Sequence, residues 1–332
     1  MSMATDICHR QELNRTLLDF SQLEDINHYM VNAHYKPENC TARQRVAIII
    51  PYRDRELQLR VFLLNVIPLL YNQQLEFGIY VIEQHGKKPF NKGAMINIGI
   101  LQSSLDREYD CYVIHDVDIL PEDQRNYYTC GKNPRHLATM IQQFGYKPVY
   151  LQYVGGILAV TAQQFHKMNG FSNLYQNWGL EDDDFYRRTR LSGYTVERPD
   201  PDIGYCGSID HIESVKIHIQ DRCNIFIRYR RVWRFDGLNS IRYAIVTKEK
   251  WKLFNRILVD IDTEEIREQM VGTEKEMRNS TTSLLPIYTH LKAERDCKRE
   301  MCKRIFFYKK ATTTKTLGVQ IDERNNKTLM FC

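Results

Sequence analysis

Apolar and polar positions along the chain set out an alternation of strands and helices. Residues 46–51, VAIIIP, form a continuous apolar run rich in β-branched side chains and closed by proline, which predicts a buried parallel strand. After polar Arg53, Asp54 and Arg55, the positions Leu57, Leu59, Val61, Leu63, Leu64, Ile67 and Leu70 largely keep helical spacing up to Tyr71. A second strand is predicted over Gly78–Glu83, a second helix over Gly93–Leu101 and a third strand over Cys111–His115. Strand, helix, strand, helix, strand over about 70 residues predicts a right-handed parallel α/β unit, a Rossmann-like half. Alternation over Tyr150–Val154 before Gly155-Gly156 predicts a further strand, and Phe185–Leu191 a helix that the acidic run Glu181–Asp184 would open. From about Thr263 the texture turns charged and polar, as in an appended tail. The resulting division is an N-terminal segment 1–39, a catalytic domain 40–263 and a charged extension 264–332.

Composition narrows the class. The 332 residues are 43% hydrophobic and 26% charged, which excludes wholesale disorder, collagen and coiled coil. No apolar run approaches the ~18–20 residues of a membrane helix, and MSMATDICHRQELNRT has no apolar core of a signal peptide. The formal net charge is +5, but residues 264–332 hold 14 Lys plus Arg against 10 acidic residues, while residues 1–263 hold 32 against 31. The catalytic region is therefore nearly neutral, and the excess is no sign of a nucleic-acid partner. Nine cysteines and sequons at Asn14, Asn39, Asn279 and Asn326 pull against a cytosolic setting.

No G-x-G-x-x-G follows the first strand and no Walker loop is present, so dinucleotide dehydrogenases and P-loop NTPases fit poorly. Ligands of an open parallel sheet bind outside the carboxyl ends of its strands. Two polar clusters fall there, Arg53-Asp54-Arg55 and Asp116-Val117-Asp118. Residues i and i+2 of an extended strand end point the same way, so Asp116 and Asp118 can converge on a Mg²⁺ or Mn²⁺ that neutralises a pyrophosphate. A turn with two capping aspartates is the bland alternative. Glu181-Asp182-Asp183-Asp184, with Trp178-Gly179 before it, reads as a sugar site with a carboxylate base, or as the acidic first turn of a helix. His211 is a candidate metal ligand or a structural histidine.

Taken in order, VAIIIPYRDR (46–55), QQLEFGIYVIEQ (73–84), FNKGAMINIG (90–99), DVD (116–118), YLQYVGG (150–156), NGFSNLYQNWGLEDDDFYRR (169–188) and RFDGLNSI (234–241) resemble the beta-1,4-galactosyltransferase family over about 35–261. The resemblance implies a GT-A type α/β fold with a Rossmann-like nucleotide-binding half and a mixed central sheet. It implies inverting transfer of galactose from UDP-galactose to O4 of a terminal N-acetylglucosamine or glucose, with Mn²⁺ on the diphosphate. Pro51, Arg53, Arg55, Asp116, Val117, Tyr153, Gly156 and Trp178 then match donor-binding positions. Tyr150, Glu181, Asp182 and Asp183 match acceptor-binding positions, with Asp182 as general base and Asp116 and Trp178 in catalytic contact. Asp118 and His211 match the metal ligands, and Tyr153 the position that selects galactose over N-acetylgalactosamine. Cys111–Cys130 and Cys8–Cys40 fall at family disulfides. The family sits in the Golgi lumen as type II membrane proteins, and the membrane contact would be an anchor absent from this chain. Ser208 and Leu180 depart from a usual methionine and glycine. Two alternatives stay open, an N-acetylgalactosaminyltransferase of the same fold and a catalytically weak sugar-binding relative, the latter motivated by those departures.

Overall fold

The computed structural model describes residues 10–177, 179–210 and 219–262, together with residue 268. A short helix, α1 (Phe20–Ile26), starts at a capping box in which Asp19 and Gln22 satisfy each other's backbone amides. Strand β1 (His34–Tyr35) follows, then the first long strand, β2 (Arg45–Tyr52). Helix α2 (Glu56–Asn72) crosses to β3 (Glu76–Gln84), and α3 (Lys92–Asp106) crosses to β4 (Cys111–His115). All five expected elements are present. The second helix runs past Leu101: Gln102 and Ser103 are buried and Ser103 turns its hydroxyl onto the Gly99 carbonyl, while Ser104 faces solvent.

The remaining elements are β5 (Ile119–Pro121), β6 (Arg135–His136), β7 (Met140–Ile141), β8 (Ile157–Val160), α4 (Ala162–Lys167), α5 (Glu181–Leu191), β9 (Tyr205–Ser208), α6 (Ile219–Val232), β10 (Ala244–Lys250) and β11 (Asn255–Asp260). The main sheet has the order β10-β11-β3-β2-β4-β8-β6, with β1 beside β3. Its centre, β11, β3, β2 and β4, is parallel, while β8, β6, β10 and β1 pair antiparallel. The sheet is mixed, as expected. A smaller sheet, β5-β9-β7, flanks it.

Alternation along β2 builds two apolar layers. Val46, Ile48 and Ile50 pack with Phe62, Leu63, Val66 and Leu70 of α2, while Ala47 and Ile49 pack with Met95, Ile96 and Ile98 of α3. Burial on both faces explains why β2 reads as an unbroken apolar run. The chain leaves β2 toward β3 on one side and returns to β4 on the other. The crevice at the carboxyl ends of β2 and β4 is therefore the place where strand order reverses, and where such sheets bind ligands.

One expected strand needs correction. Tyr150–Val154 is not a strand: the Tyr153 amide donates to the Tyr150 carbonyl at 3.1 Å, closing a turn that sets the two tyrosine rings 5.7 Å apart. The strand, β8, begins only after the glycine pair. Helix α5 is present as Glu181–Leu191, and the acidic run opens it as expected, forming the first turn where carboxylates meet the positive end of the helix.

Candidate functional site

The crevice is organised around a lysine to which the sequence reading gave no role. Asn91 caps α3 by accepting from the Ala94 amide at 2.9 Å. Its own amide donates to Gln84 Oε1 at 2.7 Å, and its Nδ2 donates to the Asn173 carbonyl at 2.6 Å. These buried bonds fix the helix start and deliver Lys92 to the end of β4. Lys92 Nζ lies 3.0 Å from both carboxylate oxygens of Asp116, 3.4 Å from Asp182 and 3.8 Å from Glu181. A cation in the first turn of a helix opposes the dipole, so facing carboxylates are needed to hold it there. The sequence predicts the helix only from Gly93, so this conflict at Lys92 shows only once α3 is seen to start at Lys92.

The structure sorts the acidic run by role. Asp182 faces Lys92 and Gly155. Glu181 is buried and accepts from the Gly179 amide at 3.0 Å. Asp183 accepts from the Tyr150 hydroxyl at 3.0 Å, which brings two expected acceptor residues together. Asp184 belongs to the core instead. It binds Arg188 at 2.6 Å, and Arg188 reaches Asp236 at 3.1 Å, forming a fully buried ionic triad.

Burial raises the pKa of Asp182 to about 6; Lys92 opposes that rise and the neighbouring Glu181 adds to it. Burial likewise raises Asp116 to about 6, opposed by Lys92 and reinforced by Asp182 and Asp118. Burial works to lower Lys92, but Asp116, Asp182 and Glu181 outweigh it and hold the ammonium well above its ordinary value. The result is a permanently charged lysine among carboxylates poised near neutrality.

The YLQYVGG turn forms the opposite wall. A Cβ added to Gly155 would lie 2.6 Å from Asp182 Oδ2 and 2.7 Å from the Tyr153 hydroxyl. Only glycine allows that approach. Gly156 takes φ +88° and its carbonyl accepts from the Asp116 amide at 2.8 Å, locking the turn to the end of β4. His136 Nε2 donates to the Gly155 carbonyl at 2.8 Å, and its ring meets Tyr153 edge-on at 5.6 Å. Burial and the facing carboxylates hold the Tyr153 hydroxyl well above its ordinary pKa.

Asp116 and Asp118 do not sit on an extended strand end. Strand β4 stops at His115, and the Ile119 amide bonds the Asp116 carbonyl at 3.2 Å across a tight turn. Val117, expected at the donor, is buried in the apolar layer of α2, between the two aspartates. The Asp118 carbonyl accepts from Ile209 at 2.8 Å, placing Asp118 beside the end of β9. Ser208 there accepts from the Gln143 amide through its hydroxyl at 3.1 Å. Trp178 and His211 lie outside the described residues. Among the described residues no group of three His, Cys, Asp or Glu is placed to hold a metal. The Asp118 carboxylate nevertheless gives the hard oxygen donor that suits Mn²⁺ or Mg²⁺.

Of the PYRDR motif, Pro51 is buried at the end of β2. Arg53 donates to the Lys88 carbonyl at 2.6 Å and lies 5.3 Å from the Phe90 ring centroid, and Arg55 stands at the start of α2. Leu180 adopts φ +73° just before α5, the left-handed conformation for which glycine is the ordinary residue. Its side chain is buried with Tyr175, Cys223 and Phe226, and that packing offsets the strain. The Cys111–Cys130 disulfide is formed, and Gln44 grips both backbone groups of Cys130. Cys40 is exposed and unpaired, while its expected partner Cys8 lies outside the described residues.

Comparison with known proteins agrees with this geometry. The family model for the N-terminal region of glycosyl transferase group 7 matches residues 6–131, and that for the N-terminal domain of galactosyltransferase matches residues 135–212. Beta-1,4-galactosyltransferase 4 of Cricetulus griseus is 40% identical over 247 residues, covering 74% of this chain and 72% of that protein. Beta-1,4-galactosyltransferase 3 of the same species is 42% identical over 232 residues, covering 69% of this chain and 59% of that protein. The crystal structure of the catalytic domain of Drosophila beta-1,4-galactosyltransferase 7 with xylobiose aligns at TM-score 0.59 and 28% identity, covering 66% of this chain and 94% of that one. A variant of that Drosophila protein, solved with manganese, UDP-Gal and xylobiose, aligns at TM-score 0.56 and 27% identity.

Proposed function

The chain belongs to the beta-1,4-galactosyltransferase family, hexosyltransferases of GT-A fold, and on that footing we propose that it moves galactose from UDP-galactose to O4 of a terminal N-acetylglucosamine or glucose, with inversion. The observation that carries the reading is the Lys92 cluster, where Asp182 stands ready as a base at the strand-order switch point.

The acceptor O4–H gives its proton to Asp182 as O4 bonds to the sugar C1. The bond from C1 to the diphosphate oxygen breaks on the opposite face, and UDP departs. Attack from the face opposite the leaving group inverts the anomeric centre. A base near pKa 6 is charged at neutral pH yet still basic enough to take the proton. Asp116, held by Lys92, and the Gly155-Gly156 turn form the donor-sugar side, with Pro51, Arg53, Arg55 and Val117 on the uridine-diphosphate side. Trp178, by its match to the family position, would close over the donor. Tyr150, Glu181 and Asp183 hold the acceptor around Asp182. Asp118 and His211 would hold Mn²⁺, which neutralises the diphosphate leaving group when bound.

Tyr153 fills the donor pocket, packed against His136, Phe144 and Tyr150, and so favours galactose over the bulkier N-acetylgalactosamine. The Cys111–Cys130 disulfide and the exposed sequon residues Asn14 and Asn39 support residence in the Golgi lumen. No helix among the described residues is long and apolar enough to cross a membrane. Replacement Asp182→Asn tests the reading: transfer should fall about 10²–10⁴-fold while UDP affinity stays unchanged. Retained transfer would remove Asp182 from the role of base.

A further inference from the structure

Away from the crevice, the end of α4 and the chain after α6 help to build a basic groove of about 470 Å³. Leu101, Trp233 and Leu238 line it together with His166, Lys167 and Arg234. Leu101 lies nine residues along α3 from Lys92, about 13 Å at 1.5 Å per residue, so the groove sits at the far end of the helix that delivers the lysine. Of the five arginines from Arg222 to Phe235, Arg234 lines the groove together with Lys167. No Asp or Glu lines the groove.

Its cations have no carboxylate to satisfy them among the described residues. The Arg234 guanidinium lies 5.4 Å from the Trp233 ring centroid, and Lys167 Nζ lies 4.7 Å from that of Tyr194. The frame beneath them is rigid. Asn169 Nδ2 donates to the Trp233 carbonyl at 2.9 Å and to Asn239 Oδ1 at 2.8 Å. The Asn239 amide returns a bond to Asn169 Oδ1 at 3.0 Å, and its Nδ2 donates to the Arg234 carbonyl at 2.9 Å. The buried Asp236–Arg188 pair anchors the same turn. The groove is thus held open by the fold, and no ordering of the turn is needed before a ligand enters.

An aromatic ring and leucines on the wall suit the apolar face of a sugar, and Lys167 and Arg234 suit sulfate or carboxylate groups on it. We propose that this groove binds an anionic saccharide, bearing sulfate or uronic carboxylate, at a site separate from the carboxylate crevice. An anionic membrane also attracts basic aromatic surfaces, but it requires apolar side chains that project. Leu238 is buried and Trp233 half-buried, so the apolar groups are recessed in a concavity of a size that fits one or two sugar rings.

Calorimetric titration of the full chain with a heparin-derived sulfated tetrasaccharide tests the assignment. The probe should bind one to one, about tenfold or more tighter than its desulfated counterpart, and weaken with added salt. The double replacement Lys167→Gln/Arg234→Gln should lose about tenfold or more in affinity. Arg230→Gln, an exposed arginine outside the groove, and Asp182→Asn in the crevice should change little. Equal affinity in the double variant, equal affinity for the desulfated probe, or loss of binding in Asp182→Asn would each overturn the proposal. So would flotation with vesicles of phosphatidylcholine and phosphatidylserine without saccharide binding. Comparison of the two probes on the unaltered chain stands even if the double variant fails to fold.

Discussion

Replacement Lys92→Met removes the one charge that three acidic side chains share, at nearly constant volume. At 3.0 and 3.4 Å, and with an effective dielectric near 20, the attractions to Asp116 and Asp182 are each about 5 kcal/mol before relaxation. Breaking a buried pair of this kind costs about 3–5 kcal/mol net, because the partners stay desolvated. For a domain of this size the lower figure lowers Tm by about 6 °C or more. The loss depends on pH in a defined direction. Burial already raises Asp116 and Asp182 to about 6, and without Lys92 they rise further. Groups whose folded pKa exceeds the unfolded value contribute stability at low pH and lose it as pH rises through the folded pKa. The gap between variant and parent should therefore widen from pH 5.5 to pH 8. The acid limb of kcat/KM should also move upward from about 6, since the base now needs a higher pH to ionise. Thermal melts and pH–rate profiles of both proteins measure this. Coincident melting curves and acid limbs at every pH would refute the electrostatic account of the crevice.

Three further outcomes follow from single contacts. Gly155→Ala puts a Cβ within 2.6 Å of Asp182 Oδ2, so kcat should drop about 10²-fold while Tm moves little; normal turnover would show that the wall has room. Removing the disulfide with Cys111→Ser/Cys130→Ser frees a loop of sequence separation 19 and should cost about 3 kcal/mol in denaturant titration, an effect absent if the parent is first reduced. Tyr153→Leu should admit UDP-N-acetylgalactosamine, and an unchanged ratio of donors in a radiolabel assay would take Tyr153 out of donor selection.

The fold was legible where local physics decides it. β-Branched runs and helical spacing located β2, β3, β4, α2 and α3, because burial on two faces leaves a plain apolar signature. Tyr150–Val154 misled because a short run of aromatic and aliphatic residues broken by one polar Gln152 reads locally as a strand, and only the Tyr153–Tyr150 backbone bond reveals the turn. Motif resemblance brought Asp116, Asp182, Glu181 and Tyr153 to one crevice. It also set Asp182 apart as the base and left Asp184 without a role, but the reason Asp184 belongs to the core, its tie to Arg188 and through it to Asp236, shows only in the fold. Lys92 stayed hidden for the same reason: its partners come from β4 and α5, and nothing in FNKGAMINIG alone names them.

The central claim is inverting galactosyl transfer across the Lys92 crevice. Proton NMR of the product formed from UDP-galactose, N-acetylglucosamine and Mn²⁺ reads the new linkage directly. A β-configured galactose on O4 is the result predicted here, whereas an α linkage, or no product with any nucleotide sugar, would contradict it.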